Sequence, residues 1–172
     1  MTIRSATPFD DAAIAAVHQQ AFARPNEARV VERIRQSERY LPTLSLVAEQ
    51  DGAIVGHILF SLIDLVNNEI VLPVLGLAPL AVHPGWQHQG IGSALVLAGL
   101  TSAAATDAPL IVVLGHPSFY QRFGFEPASQ FGITAPFPVP DEAFMVKWLK
   151  PQQDSGDRYQ GRVIYPAAFQ EV

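Results

Sequence analysis

The sequence predicts an α+β fold on a mixed, mostly antiparallel central sheet. Three observations carry this. Residues 44–49 and 53–63 are apolar runs joined at Asp51-Gly52, a strong hairpin signal. Helical signals form their own block ahead of that hairpin, between Thr7 and Pro42. Further on, a strand ending at Val82, a helix from about Gly90 to Ala105 and a strand over residues 110–114 follow one another.

Each element has a local cause. Residues 2–5 form a short first strand. Thr7-Pro8-Phe9-Asp10 starts a helix, with Thr7 as N-cap, Pro8 at the first helical position, and Asp10 and Asp11 favoured by the dipole. Ile14, Val17 and Ala21 give it an apolar stripe, and Arg24-Pro25-Asn26 interrupts it. A second helix carries Val30, Val31 and Ile34 on one side, and Pro42 marks its end. Asn67-Asn68 is a turn, and residues 70–82 form a long strand. Pro79 cannot donate to a ladder, so a bulge or a break in pairing is expected there. The third helix has Ile91, Ala94, Leu95 and Ala98 at helical spacing, and residues 110–114 are all apolar, as in a strand covered on both faces. A short helix over 117–122, a strand from Phe125, a proline loop over 135–140 and a core strand over 144–149 complete the domain. Residues 1–150 are expected to be one domain, with 151–172 a C-terminal extension packed on it. Within that extension 151–157 are polar, and 161–169 add an edge strand or wrap the domain.

Composition narrows the function. The chain has 172 residues, 49% of them hydrophobic and 16% charged, which suits a compact domain with a proper core. It lacks cysteine, which removes disulfides, thiolate metal sites and a cysteine nucleophile. The N-terminus has no basic region followed by an apolar run, and no apolar stretch reaches membrane-spanning length, so a cytoplasmic protein without a membrane partner is expected. The net charge of −5 disfavours a general nucleic-acid binder. The five histidines show no paired ligand spacing, so no metal is expected.

The strongest chemical signal is the strand that runs into Gln87-His88-Gln89-Gly90-Ile91-Gly92-Ser93 and then a helix. The first N–H groups of a helix have no internal partner, and the aligned peptide dipoles favour an anion there. Gly90 and Gly92 lack a Cβ, which lets a phosphate approach the backbone. This loop therefore suits a pyrophosphate, with the Ser93 hydroxyl as a further donor. A dinucleotide-binding reading fares poorly, because the full G-x-G-x-x-G pattern is missing and no βαβαβ half surrounds the loop.

A second segment, Val112 to Phe125, reads V-V-L-G-H-P-S-F-Y-Q-R-F-G-F. The two segments together resemble the GNAT superfamily of acetyl-CoA-dependent N-acetyltransferases. Gln87, Gly90 and Gly92 match its Q/R-x-x-G-x-G/A motif after the fourth strand. Phe119, Tyr120, Gly124 and Phe125 match its F-Y-x-x-x-G-F-like motif after the fifth. The order of elements fits from about residue 2 to residue 149. The resemblance implies a three-layer α/β/α arrangement whose sheet splays between the fourth and fifth strands. Acetyl-CoA is then the co-substrate, its pantetheine arm pairing with the backbone of Leu80, Ala81 and Val82, where a main-chain N–H also points at the thioester oxygen. It further implies that Tyr120 protonates the leaving thiolate; the competing reading is a tyrosine that packs the short helix on the sheet. Ser118 either reaches the site or caps that helix.

For the general base the candidates are Glu27, His57, Glu69 and His83, with a water chain as the alternative. In the GNAT fold the first two helices and their connection line the acceptor site, which favours Glu27, although an acidic residue in a first helical turn is also common for dipole reasons. His57 lies among apolar neighbours, as a buried structural histidine would, and His83 precedes Pro84 as a turn residue would. Five of the nine arginines, Arg24, Arg29, Arg33, Arg35 and Arg39, share one segment with Glu27, Glu32 and Glu38, which reads as an ion-paired, solvated face. The expected activity is direct acetyl transfer to a primary amine on a small molecule or peptide, by a monomer or homodimer. A non-catalytic acyl-CoA-binding or regulatory module on the same fold is the alternative.

Overall fold

Two compact units organise the chain in a computed structural model that describes residues 1–151 and 159–170. The first comprises Met1–Ser61, Ala78–Ala103 and the segment from Ala167; the second comprises Leu62–Leu77 and Ala104–Pro166.

In the first unit β1 (Thr2–Ser5) pairs antiparallel with β2 (Tyr40–Gln50), and β2 with β3 (Ala53–Asn67). Asp51 and Gly52 take positive φ values of 52° and 80°, as a tight hairpin turn requires. Thr7 donates its backbone N–H to Asp10 Oδ2 at 2.8 Å, and Pro8 takes the first helical position, as expected. The first turn, however, is a 3₁₀ turn over Pro8–Asp10, and α1 runs from Asp11 to Phe22. Left-handed Ala23 ends α1, and α2 follows over Asn26–Arg35. The expected helix end at Pro42 is not observed: α2 stops at Arg35, and Pro42 lies inside β2. The β2–β3 register shifts between Tyr40 and Ser45, so the proline falls in an irregular stretch. Ile14, Val30, Val31, Ile34, Val47 and Leu59 form the core of this helix pair on its strands, with Ala168 and Phe169 packed against it.

The helix α3 (Ile91–Ala104) carries no charge in its first or last turn. Two glycines let it lie close to β3: a Cβ on Gly56 would meet Leu95 and Ile91, and one on Gly99 would collide with the Phe60 ring.

The second unit contains the far halves of β3 and of β4 (Ile70–Val82), with β5 (Leu110–Leu114), α4 (Pro117–Tyr120), β6 (Glu126–Pro127), β7 (Ile133–Thr134), β8 (Phe144–Trp148) and β9 (Gly161–Ile164). The strands β4 and β5 are parallel, with Leu75 opposite Ile111 and Gly76 opposite Val112. β8 runs antiparallel to β5 and β6, and β9 pairs antiparallel with β3 and parallel with β7. The sheet is thus mixed and mostly antiparallel, splayed where β4 continues to Val82 beyond its last register pair with β5. β4 is itself continuous through Pro79, whose bond to Ala78 is cis, and pairing with β5 ends before it. Residues 161–169 supply β9 and a 3₁₀ turn at Ala167–Phe169. The polar stretch 151–157 lies, after Pro151, outside the described residues.

Candidate active site

Between β4 and α3 the chain makes a 3₁₀ turn at Pro84–Trp86 and then exposes Gln87, His88, Gln89 and Gly90. His88 and Gly90 take positive φ values of 63° and 85°, which turns the backbone into α3. Ala94 N–H donates to Gly90 O at 3.0 Å, so Ile91, Gly92 and Ser93 form the first turn of α3, at the positive end of its dipole. There is no acidic residue in that turn to neutralise the positive end of the dipole. A Cβ on Gly90 would meet nothing within 4 Å, so the loop backbone faces open space.

Gln87 Nε2 donates to the carbonyl of Val82 at 3.0 Å and ties the loop to the end of β4. Within the three-residue strand segment before it, Ala81 is buried while Leu80 and Val82 are half-buried. His83 N–H donates to Val55 O at 2.8 Å, and His83 Nδ1 accepts the Gly85 N–H at 2.9 Å. The imidazole therefore serves the turn, as the sequence suggested for a histidine before proline.

In the second unit Tyr120 ends α4 with its ring buried and packed edge-to-face on Phe119 and Phe125, at centroid separations of 4.9 and 5.5 Å. A Cβ on Gly115 would strike the Tyr120 ring, so a glycine there is what makes room for it. Burial pushes the phenol up to about 12, so it keeps its proton through neutral pH. Ser118 is exposed and does not cap α4: that position is taken by His116, outside the helix by geometry.

The base candidates are scattered. Glu27 is buried in the first turn of α2, and both its oxygens are held by Arg24: Nε lies 2.7 Å from Oε1 and Nη2 2.8 Å from Oε2. Glu69 is exposed in the β3–β4 turn. His57 is fully buried on β3, its Nδ1 2.8 Å from His18 Nε2 and its Nε2 2.9 Å from Ser45 Oγ. The histidine is thus satisfied in the core, though by a partner, His18, that no local pattern announced; only its helical spacing from Ile14 marked it as inward-facing. The arginine-rich segment is ion-paired at Arg24–Glu27, and Arg35 reaches back to Asp11 of α1 at 3.2 Å. Among the described residues, no three His, Asp or Glu side chains are grouped to hold a metal, and no helix is long and apolar enough to cross a membrane.

With this geometry in hand, the chain can be set beside known proteins. Residues 42–127 match the model of the acetyltransferase (GNAT) domain. The uncharacterized N-acetyltransferase YhbS of Escherichia coli strain K12 is 36% identical over 170 residues, 98% of each chain. The uncharacterized N-acetyltransferase YjhQ of the same strain is 38% identical over 135 residues, 77% of this chain and 74% of that one. The crystal structure of Escherichia coli YhbS in complex with CoA superposes with a TM-score of 0.87 at 32% identity, covering 98% of this chain and 91% of that one. A GNAT family acetyltransferase from Brucella melitensis in complex with acetyl-CoA gives 0.78 at 32% identity, over 98% and 97% of the two chains. A glycine turn feeding an uncharged helix N-terminus, a parallel strand pair that parts beyond two residues and these full-length likenesses have one common reading: the chain belongs to the GNAT family of acetyl-CoA-dependent N-acetyltransferases.

Proposed function

We propose that this protein moves the acetyl group of acetyl-CoA directly to a primary amine on a small molecule or peptide. The observation that carries the reading is the loop at Gly90: open backbone at an uncharged helix N-terminus, tied by Gln87 to Val82. Gln87, His88, Gln89, Gly90, Ile91, Gly92 and Ser93 receive the pyrophosphate through backbone N–H groups and the Ser93 hydroxyl. The backbone of Leu80, Ala81 and Val82 receives the pantetheine arm and polarises the thioester carbonyl. The CoA and acetyl-CoA complexes of the two similar structures support this choice of co-substrate.

In the transfer, the amine nitrogen attacks the thioester carbon and loses a proton, the C–S bond breaks, and the thiolate gains a proton. Tyr120 supplies that last proton from its hydroxyl; the match at Phe119, Tyr120, Gly124 and Phe125 and a phenol that stays protonated at neutral pH support the role. Glu27 is the candidate base. Because Arg24 holds both its oxygens, Glu27 accepts a proton only after that guanidinium swings aside. Arg24 is half-exposed and free to do so on its solvent side.

The test is direct. Saturating acetyl-CoA should raise the melting temperature, because a ligand that binds only the native state stabilises it by mass action. A panel of primary amines should then accelerate release of free thiol. No thermal shift at millimolar acetyl-CoA would remove the cofactor assignment, and a shift without amine-dependent thiol release from any acceptor would remove the transfer.

A further inference from the structure

The buried chain Ser45–His57–His18 takes no part in the proposed chemistry, and its two imidazoles are placed as a device of their own. Both rings are fully buried, His18 on α1 and His57 on β3, and they meet at 2.8 Å between His18 Nε2 and His57 Nδ1. Such a bond needs one nitrogen protonated and the other bare. At the far side of His57, Nε2 meets Ser45 Oγ at 2.9 Å. At the far side of His18, Nδ1 is buried without a partner among the described residues. Phe22 lies flat against the His18 ring, at a centroid separation of 6.1 Å.

We propose that His18 and His57 form an acid-sensitive latch that holds α1 on β3 while both rings are neutral and releases it when both are charged. With two neutral rings the shared proton satisfies the contact in either tautomer. With two imidazolium rings, N–H would face N–H across the same 2.8 Å, and the contact must part. The surroundings oppose even one charge. Burial disfavours it on both rings, and Arg35 of α2 adds a like charge. Asp10, beside β1, is the one carboxylate acting the other way on His57, and it is engaged by Arg4 at 2.8 Å.

The sign follows from linkage. His18 is lowered to about 4 in the folded chain and His57 lies well below its ordinary value, against about 6.5 for an unconstrained imidazole. The latch is therefore fully set above pH ~6.5 and weakens as pH falls toward 4, where the opened state gains protons that the closed state refuses. The effect reaches the surface through α1, whose residues line two clefts of the first unit. Ala12, Ala15 and Gln19 face one of about 560 Å³ shared with α2, and Ala13, Ala16 and Gln20 face one of about 400 Å³ that extends to His83. Releasing α1 dismantles one wall of each.

Hydrogen exchange on the full chain between pH 7 and 4.5 tests the latch. Protection factors of α1 amides around Ile14 to His18 should fall by about tenfold to a hundredfold per pH unit below 6, for one or two protons taken up on opening, ahead of those in α3. H18Q should lose at least one proton's share of that slope. Should H18Q not fold, imidazole nitrogen NMR on the wild type gives the same decision, since two of the five imidazoles should stay neutral and hydrogen-bonded at pH 5.5. Protection that ignores pH, a fall shared equally by α1 and α3, an unchanged slope in H18Q, or five charged imidazoles at pH 5.5 would each overturn the latch.

Discussion

Gly90 and Gly99 belong to one continuous loop and helix, yet an added methyl group would find opposite surroundings at the two positions. At Gly90 it would meet nothing within 4 Å; at Gly99 it would run into the Phe60 ring, with Cζ only 2.6 Å away. The backbone differs as well: Gly90 has a φ of +85°, a region that side chains resist, whereas Gly99 sits within the helix α3. A glycine in a helix interior costs about 1 kcal/mol relative to alanine, so Gly99 is retained for packing α3 onto β3. Gly90 is retained by its left-handed backbone rather than by packing, and under the proposed function its bare backbone is what the pyrophosphate meets. In the second unit Gly115 repeats the packing case, with Tyr120 as the ring it admits.

Tyr120→Phe asks whether the ring that Gly115 admits is there only to pack. It should have the largest effect, a fall in turnover of about 10²–10⁴-fold with acetyl-CoA affinity near wild type. Steady-state kinetics with an active amine measure it, and stability should hold, since phenylalanine keeps the ring and its packing on Phe119 and Phe125. Wild-type activity should also show no loss of this proton near pH 10, because burial carries the phenol to about 12. An unchanged turnover with chemistry rate-limiting would make Gly115 and Tyr120 a packing pair like Gly99 and Phe60.

Next comes Gly90→Val. It should erase the acetyl-CoA thermal shift, worth about 2.7 kcal/mol at a ligand concentration a hundred times Kd, while the variant still unfolds cooperatively. Equal ligand stabilisation of wild type and variant would remove the functional half of the comparison. Gly99→Ala should do the reverse, costing about 1–3 kcal/mol in denaturant unfolding through overpacking against Phe60, with the acetyl-CoA shift retained. The smallest expected effect is Gly90→Ala, about 1 kcal/mol from the positive φ alone, and it separates backbone strain from the blocked approach that valine adds.

What the chain order made legible was local. Asp51-Gly52 sits in the turn conformation its composition implied, and residues 110–114 form β5 with the same bounds, because an all-apolar run with three β-branched residues at its centre has little else to do. Gln87, Gly90 and Gly92 fall on the turn into α3, where a pattern spanning six positions fixes the geometry by backbone rules alone. The start of β2 was misread because Pro42 looks like a helix stop in sequence and becomes tolerable only beside the register shift against β3. Ser118 does not cap α4, because the helix begins at Pro117 as expected and its cap position is therefore His116, two residues before the serine.

The sequence by itself determined most of the element types, the glycine-bearing turn into α3 and the family, because each depends largely on neighbours a few residues away along the chain. Only the tertiary structure decided that Glu27 is buried beneath Arg24, that the His83 lone pair belongs to its own turn, and that His57 finds its partner in His18. The last pair joins residues 39 positions apart, on a helix and a strand whose relative placement is set by the shared core of Ile14, Val47 and Leu59. Side-chain protonation and pairing depend on such distances and on exclusion of water, and no periodicity in the chain encodes either.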